Sequence, residues 1–565
     1  MKLVECVPNF SEGRNRKVLD EIGAAIAGVD GVTLLDVDPG AATNRTVFTF
    51  VGSVETIVDA AFAGIVRAAE LIDMSTHSGA HARQGACDVC PFIPLGETTM
   101  EECVELSRQL AKRVGEELQV PVYLYEKAAT RPGRRSIVDI RKGEYEALEE
   151  KLKTEEFAPD FGPARFDPKF GALVTGAREF LIAYNINLNS RNPKIAKDIA
   201  LQIRDKGCFD RDEKGRKRRD EHGKALRKAG LFKNCKATGW FIEEYGVAQV
   251  TMNLTNYKVS PPHAVFDAVC RLADERGVRV TGSEVVGLVP LAVLTEAGKH
   301  YLAKQVASRG VTEQELVDIA VKSMGFSEVQ PFDPAQKIIE YRTARPGGGL
   351  MGLTCSGFAD ELSSDSPAPG GGSVAALCGA LSAALSAMVA NLTFAKKGFK
   401  KLRPEMDEMG QDAQRLKEFF ARAVDEDTDA FNRVMAAMRL PKSTDEQQAA
   451  RLAAIEAATK GAVEVPFDVL VRSMQAAELA LAMVMRGNPN SLSDAGVASL
   501  CARLAAQGAY YNVLINLPGL SDLSYVKSTR EAAMGLRDAV VQVCAQTDAA
   551  VEERLLADLQ EGEAE

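Results

Sequence analysis

The segment "DMSTHSGAHARQGACDVCP", residues 73–91, holds residue types that bind metals, exchange disulfides or move protons. His77 and His81 lie four positions apart, and Cys87 and Cys90 lie three positions apart. Such side chains can hold zinc, a CxxC pair can act in redox chemistry, and a histidine can act as a general base or acid because imidazole titrates near neutral pH. The sequence therefore offers three chemistries for one short segment.

The neighbouring residues disfavour two of these chemistries. Gly and Ser residues around the histidines predict a loop, and no second ligand pair follows at the spacing of a zinc site. "ACDVCPFIPLG" is typical of a strand that enters a turn, whereas a redox CxxC lies at the start of a helix. We therefore expect Cys87 and Cys90 to be buried structural thiols. Residue type alone leaves both a catalytic and a structural histidine open.

A second candidate is a carboxylate in the later half of the chain. In "FFARAVDEDTDAFNRVMAAM" the helical spacing places Asp427 on one stripe with Phe420, Val424, Phe431 and Met435. Burial disfavours the charged form of an aspartate, so it raises the pKa and makes the group a usable acid near neutrality. The alternative is an aspartate that only bonds to a neighbouring helix.

A glycine-rich turn precedes the first long helical pattern of that half. "SPAPGGGSVAA", residues 366–376, can bring backbone N–H groups close to an anion at a helix N-terminus, or it can be a flexible linker. It has neither the lysine nor the preceding strand of a nucleotide-binding loop.

The elements that position these residues differ between the two halves. Up to about Tyr341, β-branched runs such as "RTVFTFVG" alternate with helical patterns such as "VETIVDAAFAGIVRAAELID", which is typical of α/β layers. The Pro- and Gly-rich stretch 157–180 predicts the joint between two subdomains. After "RTARPGGGLMG" the chain is rich in Ala, Leu and Glu and predicts a helical bundle. We expect subdomains at 1–180 and 181–342, a linker at 343–356 and a helical domain at 357–565.

Composition and charge limit the classes of partner. The net charge of −10 argues against nucleic acid, and no apolar run is expected to span a bilayer. Eleven cysteines are an odd number in a long chain, and "MKLVECVPNF" is not expected to be a signal peptide, so the sequence predicts reduced thiols and a cytoplasmic location. The strongly charged segment 204–234 predicts a solvated surface loop, with a basic tether for a polyanionic substrate tail as the alternative.

Several blocks resemble a known enzyme family. "LVECVPNFSEG", "LIDMSTHSGAHARQGACDVCPFIPLG" and "APDFGPARFDPKFGALVTGAREFLIAYNINL" resemble the formiminotransferase domain of the formimidoyltransferase-cyclodeaminase family. "APGGGSVAA", "DEDTDAF" and "GAYYNVLINL" resemble its cyclodeaminase domain. The resemblance covers nearly the whole chain in family order. It implies a multidomain fold, with two α/β (α+β sandwich) formiminotransferase subdomains followed by an all-α helical cyclodeaminase domain.

The resemblance also implies two consecutive reactions of histidine degradation. The first transfers the formimino group from N-formimidoyl-L-glutamate to N5 of tetrahydrofolate. The second cyclises 5-formimidoyltetrahydrofolate to 5,10-methenyltetrahydrofolate and releases ammonia. Tetrahydrofolate, expected to be polyglutamylated, is the cosubstrate, and no metal is implied. The expected partners are these small molecules and further copies of the chain in a homo-oligomer, with no nucleic acid and no membrane.

The same resemblance assigns site residues. His81 matches the catalytic histidine of the transferase, which would remove the N5 proton and return one to the departing glutamate amine, although a swap of roles with His77 stays open. Asp38 in "LLDVDPG" matches an acidic residue of the same cleft that would orient or charge-balance the imidazole. Asp427 falls on the cyclodeaminase aspartate. The folate-binding segment carries over, with aromatic faces for the pterin, onto Gly162, Pro163, Ala164, Arg165, Phe166, Asp167, Pro168, Lys169, Phe170 and Gly171.

Alternatives remain for both the reaction and the tail contacts. The same folds would suit a glutamate formyltransferase or a methenyltetrahydrofolate cyclohydrolase. A non-enzyme alternative is that the helical half is only an oligomerisation module. Lys169, Arg178 and the 204–234 segment are the candidate basic groups for a polyglutamate tail.

Overall fold

The computed structural model describes residues 2–40, 44–79, 82–243, 245–328, 331–343 and 348–564, with side chains to residue 557. The chain divides into two compact units, Met1–Val293 with Met324–Thr343, and Leu294–Ser323 with Ala344–Glu565. The fold class is confirmed, because two α/β subdomains precede a helical region. Residues 294–323 group with the helical unit, while the rest of the predicted second subdomain stays in the first unit.

The first subdomain is a seven-stranded sheet with three long helices on one face and two short helices on part of the other. Its strands are β1 (Lys2–Cys6), β2 (Asn9–Phe10), β3 (Val32–Gly40), β4 (Arg45–Gly52), β5 (Cys87–Gly96), β6 (Val122–Glu126) and β7 (Leu173–Ala177). Its helices are α1 (Arg16–Ala27), α2 (Ile57–Leu71), α3 (Met100–Glu117), α4 (Ile137–Ile140) and α5 (Leu148–Lys151). β1 and β2 both lie between β4 and β5, and β3 flanks β4. β5, β7 and β6 are parallel, and the other pairs are antiparallel.

The joint between the α/β subdomains lies later than the sequence predicts. β7 pairs with β5 and β6 inside the first sheet, so the Pro- and Gly-rich residues that precede it belong to the first subdomain. The chain leaves this sheet only after Ala177 and enters the second sheet at Ile182. Turn-forming residues therefore mark a folded-back loop here and not a linker.

Strand β5 confirms the prediction for the two cysteines. Cys87 and Cys90 are fully buried in the core beneath α1, α2 and α3, although residues three apart in a regular strand face opposite sides. A bulge where β5 pairs with β2 shifts the register between Asn9 and Phe10, and this brings both thiols inward. Cys90 Sγ lies 3.5 Å from Cys6 Sγ in the same core.

The second subdomain is a four-stranded antiparallel sheet in the order β11-β12-β8-β13. Its strands are β8 (Ile182–Leu188), β9 (Cys208–Phe209), β10 (Arg227–Lys228), β11 (Cys235–Ile242), β12 (Val247–Leu254) and β13 (Val280–Val286), of which β9 and β10 form a separate two-stranded pair in the charged segment. Helices α6 (Pro193–Ile203) and α7 (Pro262–Asp274) pack on the sheet. The remaining helices of this region are α8 (Leu291–Lys304), α9 (Glu313–Met324), α10 (Pro334–Lys337) and α11 (Ile339–Thr343).

The helical unit packs long helices through small residues. Its helices are α12 (Cys355–Leu362), α13 (Gly371–Ala395), α14 (Arg403–Met438), α15 (Asp445–Arg486), α16 (Leu492–Asn516) and α17 (Leu523–Ala564). Helix α13 contacts α14, α15 and α16. Gly379 of α13 lies against the ring of Phe420, where a Cβ atom would approach to 2.5 Å, so glycine permits this close packing.

Helix α13 corrects one expectation about the membrane. By length and composition it is apolar enough to cross a bilayer, contrary to the prediction that no such run exists. However, 61% of its most apolar stretch is buried inside the helical unit, and the core helix of a bundle passes the same test.

Candidate functional site

The loop that carries the predicted catalytic histidine lies beside the predicted folate segment. His81 itself is outside the described residues, but the chain on both sides of it is anchored. Met74 N–H donates to the carbonyl oxygen of Lys169 (2.9 Å), and Ala86 N–H donates to that of Phe170 (2.8 Å). The structure therefore brings together two segments that are about 90 positions apart in the sequence.

His77 has both ring nitrogens engaged. Its Nδ1 accepts a hydrogen bond from Arg83 Nε (3.2 Å), and its Nε2 lies 2.9 Å from the carbonyl oxygen of Asn44. Because a guanidinium only donates and a carbonyl only accepts, the ring is the neutral tautomer with its proton on Nε2. His77 is therefore a structural residue of the loop, and the geometry disfavours a swap of roles with His81.

The predicted folate segment is a tight turn with one accessible aromatic ring. Asp167 Oδ1 accepts the N–H groups of Lys169 (2.9 Å) and Phe170 (3.2 Å), which fixes the turn. Phe170 is only 2% exposed in the core, which corrects the expectation that its face is available to a pterin. Phe166 is half-buried, and its ring lies 5.5 Å from that of Tyr145. The binding assignment of residues 162–171 stays a prediction.

Asp38 lines a cavity on the face of the first sheet opposite to the core. The cavity has a volume of about 470 Å³. Its charged lining consists of three carboxylates and two cations, namely Glu5, Asp36, Asp38, Arg178 and Lys337. Ala183 and residues 286–288 of the second subdomain close the other side. The cavity thus lies between the two α/β subdomains, and it brings Asp38 together with Arg178.

The sequence reasoning missed Glu5. Val4 and Cys6 point into the apolar core, so the alternation of a strand directs Glu5 to the cavity face. Glu5 is 4% exposed, and its burial raises the pKa to about 7 against the opposing influence of Arg178. A charged residue within the apolar run "LVECV" is the signal that was available.

The second sheet adds a buried polar network. Asn185 and Gln249 both donate to Glu284 Oε1, at 2.9 and 3.0 Å, and Gln249 also donates to Asn187 Oδ1 (2.8 Å). Asn185 and Asn187 follow Ala183 at every second position of β8, so they share its cavity-side face. The wall contributed by the second subdomain is therefore polar as well.

In the helical unit, Asp427 lies against the glycine-rich turn. Asp427 Oδ2 accepts a hydrogen bond from Ser373 Oγ (3.1 Å), and the carboxylate also accepts the backbone N–H of Ser373. A Cβ atom at Gly372 would lie 2.5 Å from Asp427 Cγ, so glycine is required for this approach. The two features that the sequence offered separately form one site at the start of α13.

The environment of Asp427 sets its protonation. Burial raises the pKa of this carboxyl above its ordinary value of 3.8, while the hydroxyl and the backbone N–H of Ser373 lower it. Asn512 of α16 lies beside the same turn, since a Cβ at Gly371 would be 3.5 Å from Asn512 Nδ2. Asn512 falls in the block "GAYYNVLINL", but nothing in residue type alone had marked it as functional.

Metal ligands do not gather at either site. Among the residues whose side chains are described, no group of three or more His, Cys, Asp or Glu side chains is placed to hold a metal ion. The chemistry that these sites offer is proton transfer by carboxylates, together with binding of charged substrates by the Arg and Lys side chains.

Comparison with known proteins covers the chain from end to end. The family described as formiminotransferase domain, N-terminal subdomain, matches residues 3–178, the formiminotransferase domain matches 183–344, and formiminotransferase-cyclodeaminase matches 354–534. The formimidoyltransferase-cyclodeaminase of Gallus gallus is 40% identical over 555 residues, which cover 98% of this chain and 99% of that protein.

Two shorter relatives match parts of the chain. The glutamate formimidoyltransferase of Streptococcus pyogenes serotype M1 is 42% identical over 301 residues, 53% of this chain and 93% of its own length. The methenyltetrahydrofolate cyclohydrolase of Methylorubrum extorquens is 38% identical over 183 residues, 32% of this chain and 88% of its own length. Because the full-length relative is covered almost completely and the three families follow one another in order, the chain belongs to the formimidoyltransferase-cyclodeaminase family and is a bifunctional enzyme.

Proposed function

We propose that the first unit transfers the formimino group from N-formimidoyl-L-glutamate to N5 of tetrahydrofolate. The helical unit then cyclises the product to 5,10-methenyltetrahydrofolate with release of ammonia, as consecutive steps of histidine degradation. The observation that carries the proposal is the match to a formimidoyltransferase-cyclodeaminase over 98% of the chain.

The charges of the cavity suit the first substrate. The formimino group of N-formimidoyl-L-glutamate is part of an amidine, which is a cation at neutral pH, and the glutamate part carries two carboxylates. Asp36 and Asp38 offer exposed carboxylates for the cation, and Arg178 and Lys337 offer donors for the anions. Both charge types are present on one cavity, which supports transfer there.

The role of the histidine loop has a direct test. His81→Ala is expected to abolish formimino transfer and to leave the cyclodeaminase step intact when 5-formimidoyltetrahydrofolate is supplied. His77→Ala should weaken the loop through lost contacts with Arg83 and Asn44 but retain measurable transfer. Transfer that survives His81→Ala and is lost in His77→Ala would reverse the assignment.

The helical site suits the second step. N10 must attack the formimino carbon, and the departing nitrogen must gain a proton before it leaves as ammonia. Burial raises the pKa of the Asp427 carboxyl above its ordinary value, which favours the protonated form that can donate a proton. Ser373 fixes its orientation through the hydroxyl and the backbone N–H.

One coupled assay tests both steps. Purified enzyme with N-formimidoyl-L-glutamate and tetrahydrofolate should produce methenyltetrahydrofolate absorbance and one ammonia per turnover. Asp427→Asn should accumulate 5-formimidoyltetrahydrofolate without ammonia. Equal ammonia release by wild type and Asp427→Asn would remove Asp427 from the mechanism. Formimino transfer by the wild type without any ammonia would mean that the helical unit has no cyclodeaminase activity.

The relative named methenyltetrahydrofolate cyclohydrolase supports a second candidate activity for the chain. Methenyltetrahydrofolate supplied alone would be hydrolysed to the formyl compound if that reaction dominates. A cyclodeaminase should instead turn over 5-formimidoyltetrahydrofolate much faster than it hydrolyses the methenyl product.

We also propose that the enzyme is a homo-oligomer. Large apolar side chains that recur at helical spacing are exposed along α13 and α16, namely Leu381, Met388, Leu392, Val497, Leu500, Leu504, Tyr511 and Ile515. A contiguous apolar face of this kind is typical of a subunit interface. Light scattering should give a mass that is a multiple of 60.8 kDa, and Leu500→Lys with Leu504→Lys should lower it.

The charged segment 204–234 is the proposed contact for a polyglutamate tail on tetrahydrofolate. The 204–234 segment carries twelve Lys and Arg residues against six Asp and Glu residues, which suits an anionic polyglutamate tail. KM for tetrahydrofolate should then fall as glutamates are added to it.

None of the eleven cysteines, all within the described residues, forms a disulfide. This supports a reducing, cytoplasmic location, which cell fractionation tests.

A further inference from the structure

Glu5 occupies an unusual position for a charged residue. It lies in β1, which pairs with a strand on each side, and its backbone partners are Val51 and Ile93. Its side chain is nearly fully buried, yet it lines the cavity between the two α/β subdomains. An ionised carboxylate at such a place lowers the free energy of unfolding unless a partner compensates its charge. An uncompensated one that is nevertheless present suggests a functional role.

Among the described residues, no hydrogen bond or ion pair to the Glu5 carboxylate is found. The Arg178 guanidinium donates to the carbonyl oxygen of Glu179 (3.1 Å), and its positive charge offsets only part of the effect of burial on Glu5. The nearby charge of Glu340 adds repulsion. The other charged groups around the same cavity are Asp36, Asp38, Arg178 and Lys337. The first two are exposed carboxylates, so Glu5 is the buried acid of the set.

We infer that Glu5 is a catalytic acid of formimino transfer, and that it delivers a proton to the glutamate nitrogen as this nitrogen leaves. The inference rests on the proposed function. It assigns to Glu5 the return of a proton to the glutamate amine, which the family resemblance gives to His81, and it leaves the removal of the N5 proton to His81.

The transfer balances with Glu5 as the proton donor. Attack by N5 of tetrahydrofolate on the formimino carbon forms one C–N bond, and the N5 proton goes to a base. The bond from that carbon to the glutamate nitrogen then breaks, and this nitrogen takes a proton from the Glu5 carboxyl to leave as an amine. The base then releases its proton to water, and Glu5 regains one from water before the next turnover. No oxidation or reduction occurs.

Burial prepares Glu5 for this role. It raises the pKa of the carboxyl to about 7, so that a proton is both held and released near neutral pH.

The test compares Glu5→Gln, Glu5→Asp and Asp36→Asn in the intact chain. Glu5→Gln keeps the shape and removes the proton, so kcat for transfer should fall by about 10²-fold or more, and the alkaline limb of the pH profile near 7 should disappear. Glu5→Asp should restore part of the rate and the limb. Asp36→Asn changes the charge of the same cavity and should alter KM for N-formimidoyl-L-glutamate without removing the limb.

The remaining readouts separate failure of the inference from failure of the proposed function. Cyclodeaminase turnover of supplied 5-formimidoyltetrahydrofolate should be unchanged in all three variants. If wild type transfers and Glu5→Gln matches its kcat and pH profile, Glu5 is not the acid. If Glu5→Gln raises only KM, Glu5 binds substrate and does not transfer the proton. If wild type shows no transfer, the proposed function itself fails.

Discussion

Substitution of Gly372 is expected to displace Asp427, the proposed acid of the cyclodeaminase step. Gly372 lies against Asp427, and a methyl group there would be 2.5 Å from Asp427 Cγ and 2.6 Å from Oδ2. Nonbonded carbon atoms approach to about 3.5 Å, so the carboxyl of Asp427 must withdraw by about 1 Å in Gly372→Ala. A displacement of this size at a reacting group costs about 10²-fold in rate, or about 2.7 kcal/mol of transition-state stabilisation.

Gly371→Ala is the matched control for this variant. Its added methyl group would meet only Asn512 Nδ2 at 3.5 Å, which is an ordinary contact. Both substitutions place alanine in the first turn of α13, where alanine favours the helix, so neither should lower the melting temperature through propensity. The two variants should therefore change the helix propensity of α13 equally, whereas only Gly372→Ala should displace Asp427.

The assay follows ammonia and methenyltetrahydrofolate from 5-formimidoyltetrahydrofolate, with formimino transfer as an internal control. Gly372→Ala should lose about 10²-fold in kcat, while Gly371→Ala stays within a few-fold of wild type. Adding Asp427→Asn to Gly372→Ala should cause no loss beyond that of Asp427→Asn alone, because both changes act on one group. Full activity in Gly372→Ala, or equal losses in both glycine variants, would refute the argument.

Three further predictions concern buried charges. Ser373→Ala removes a hydrogen bond that lowers the pKa of Asp427, so the limb of the cyclodeaminase pH profile that reports this group should move to higher pH, and Ser373→Thr should restore it. Asp88 is fully buried between Arg45 and Arg141, so Asp88→Asn should destabilise the first unit by about 3 kcal/mol in urea unfolding; no change would mean that the ion pairs contribute nothing. Glu5 releases its proton near pH 4.5 when unfolded and only near 7 when folded, so the folded state loses stability as pH rises between these values. Glu5→Gln should therefore be more stable than wild type by about 3 kcal/mol above pH 7 and equal to it below pH 4.5, and a variant that is less stable at pH 8 would contradict this reasoning.

The sequence predicts the secondary-structure class of each half because the spacing of apolar residues along one element can be read without knowledge of tertiary contacts. The alternation of "RTVFTFVG" and the helical spacing around Asp427 both correspond to observed elements, β4 and α14. The stretch 157–180 misled the prediction because Pro and Gly mark any sharp turn, whether it joins domains or folds back within one. The distinction depends on the pairing of β7 with β5 and β6, which is a long-range contact.

The candidate functional residues also divide into those that local spacing predicts and those that only tertiary packing reveals. Asp427 could be predicted from local spacing, because the period of a single helix places it on the same face as Val424 and Phe420. Its partner Ser373 lies more than 50 positions earlier, and only the packing of α13 on α14 brings the two together. Glu5 could be recognised only once both faces of β1 were known to be buried. On a solvent-exposed face, a glutamate would carry no cost of burial and would not stand out.

Glu5 and Asp427 lie in unrelated folds but share one physical environment. Each is an acid on an element whose neighbouring residues, Cys6 for the first and Val424 for the second, belong to an apolar core. Burial raises the pKa of both carboxyls above their ordinary values, and neither forms a direct ion pair with a cation among the described residues. A directly bonded arginine would stabilise each charge and lower each pKa further than the nearby Arg178 lowers that of Glu5, so it would improve folding and remove the proton that the reaction needs. The same variants that test catalysis should therefore separate stability from activity: replacing either acid by its amide should lower turnover at its own site while preserving or raising the stability of the unit that holds it.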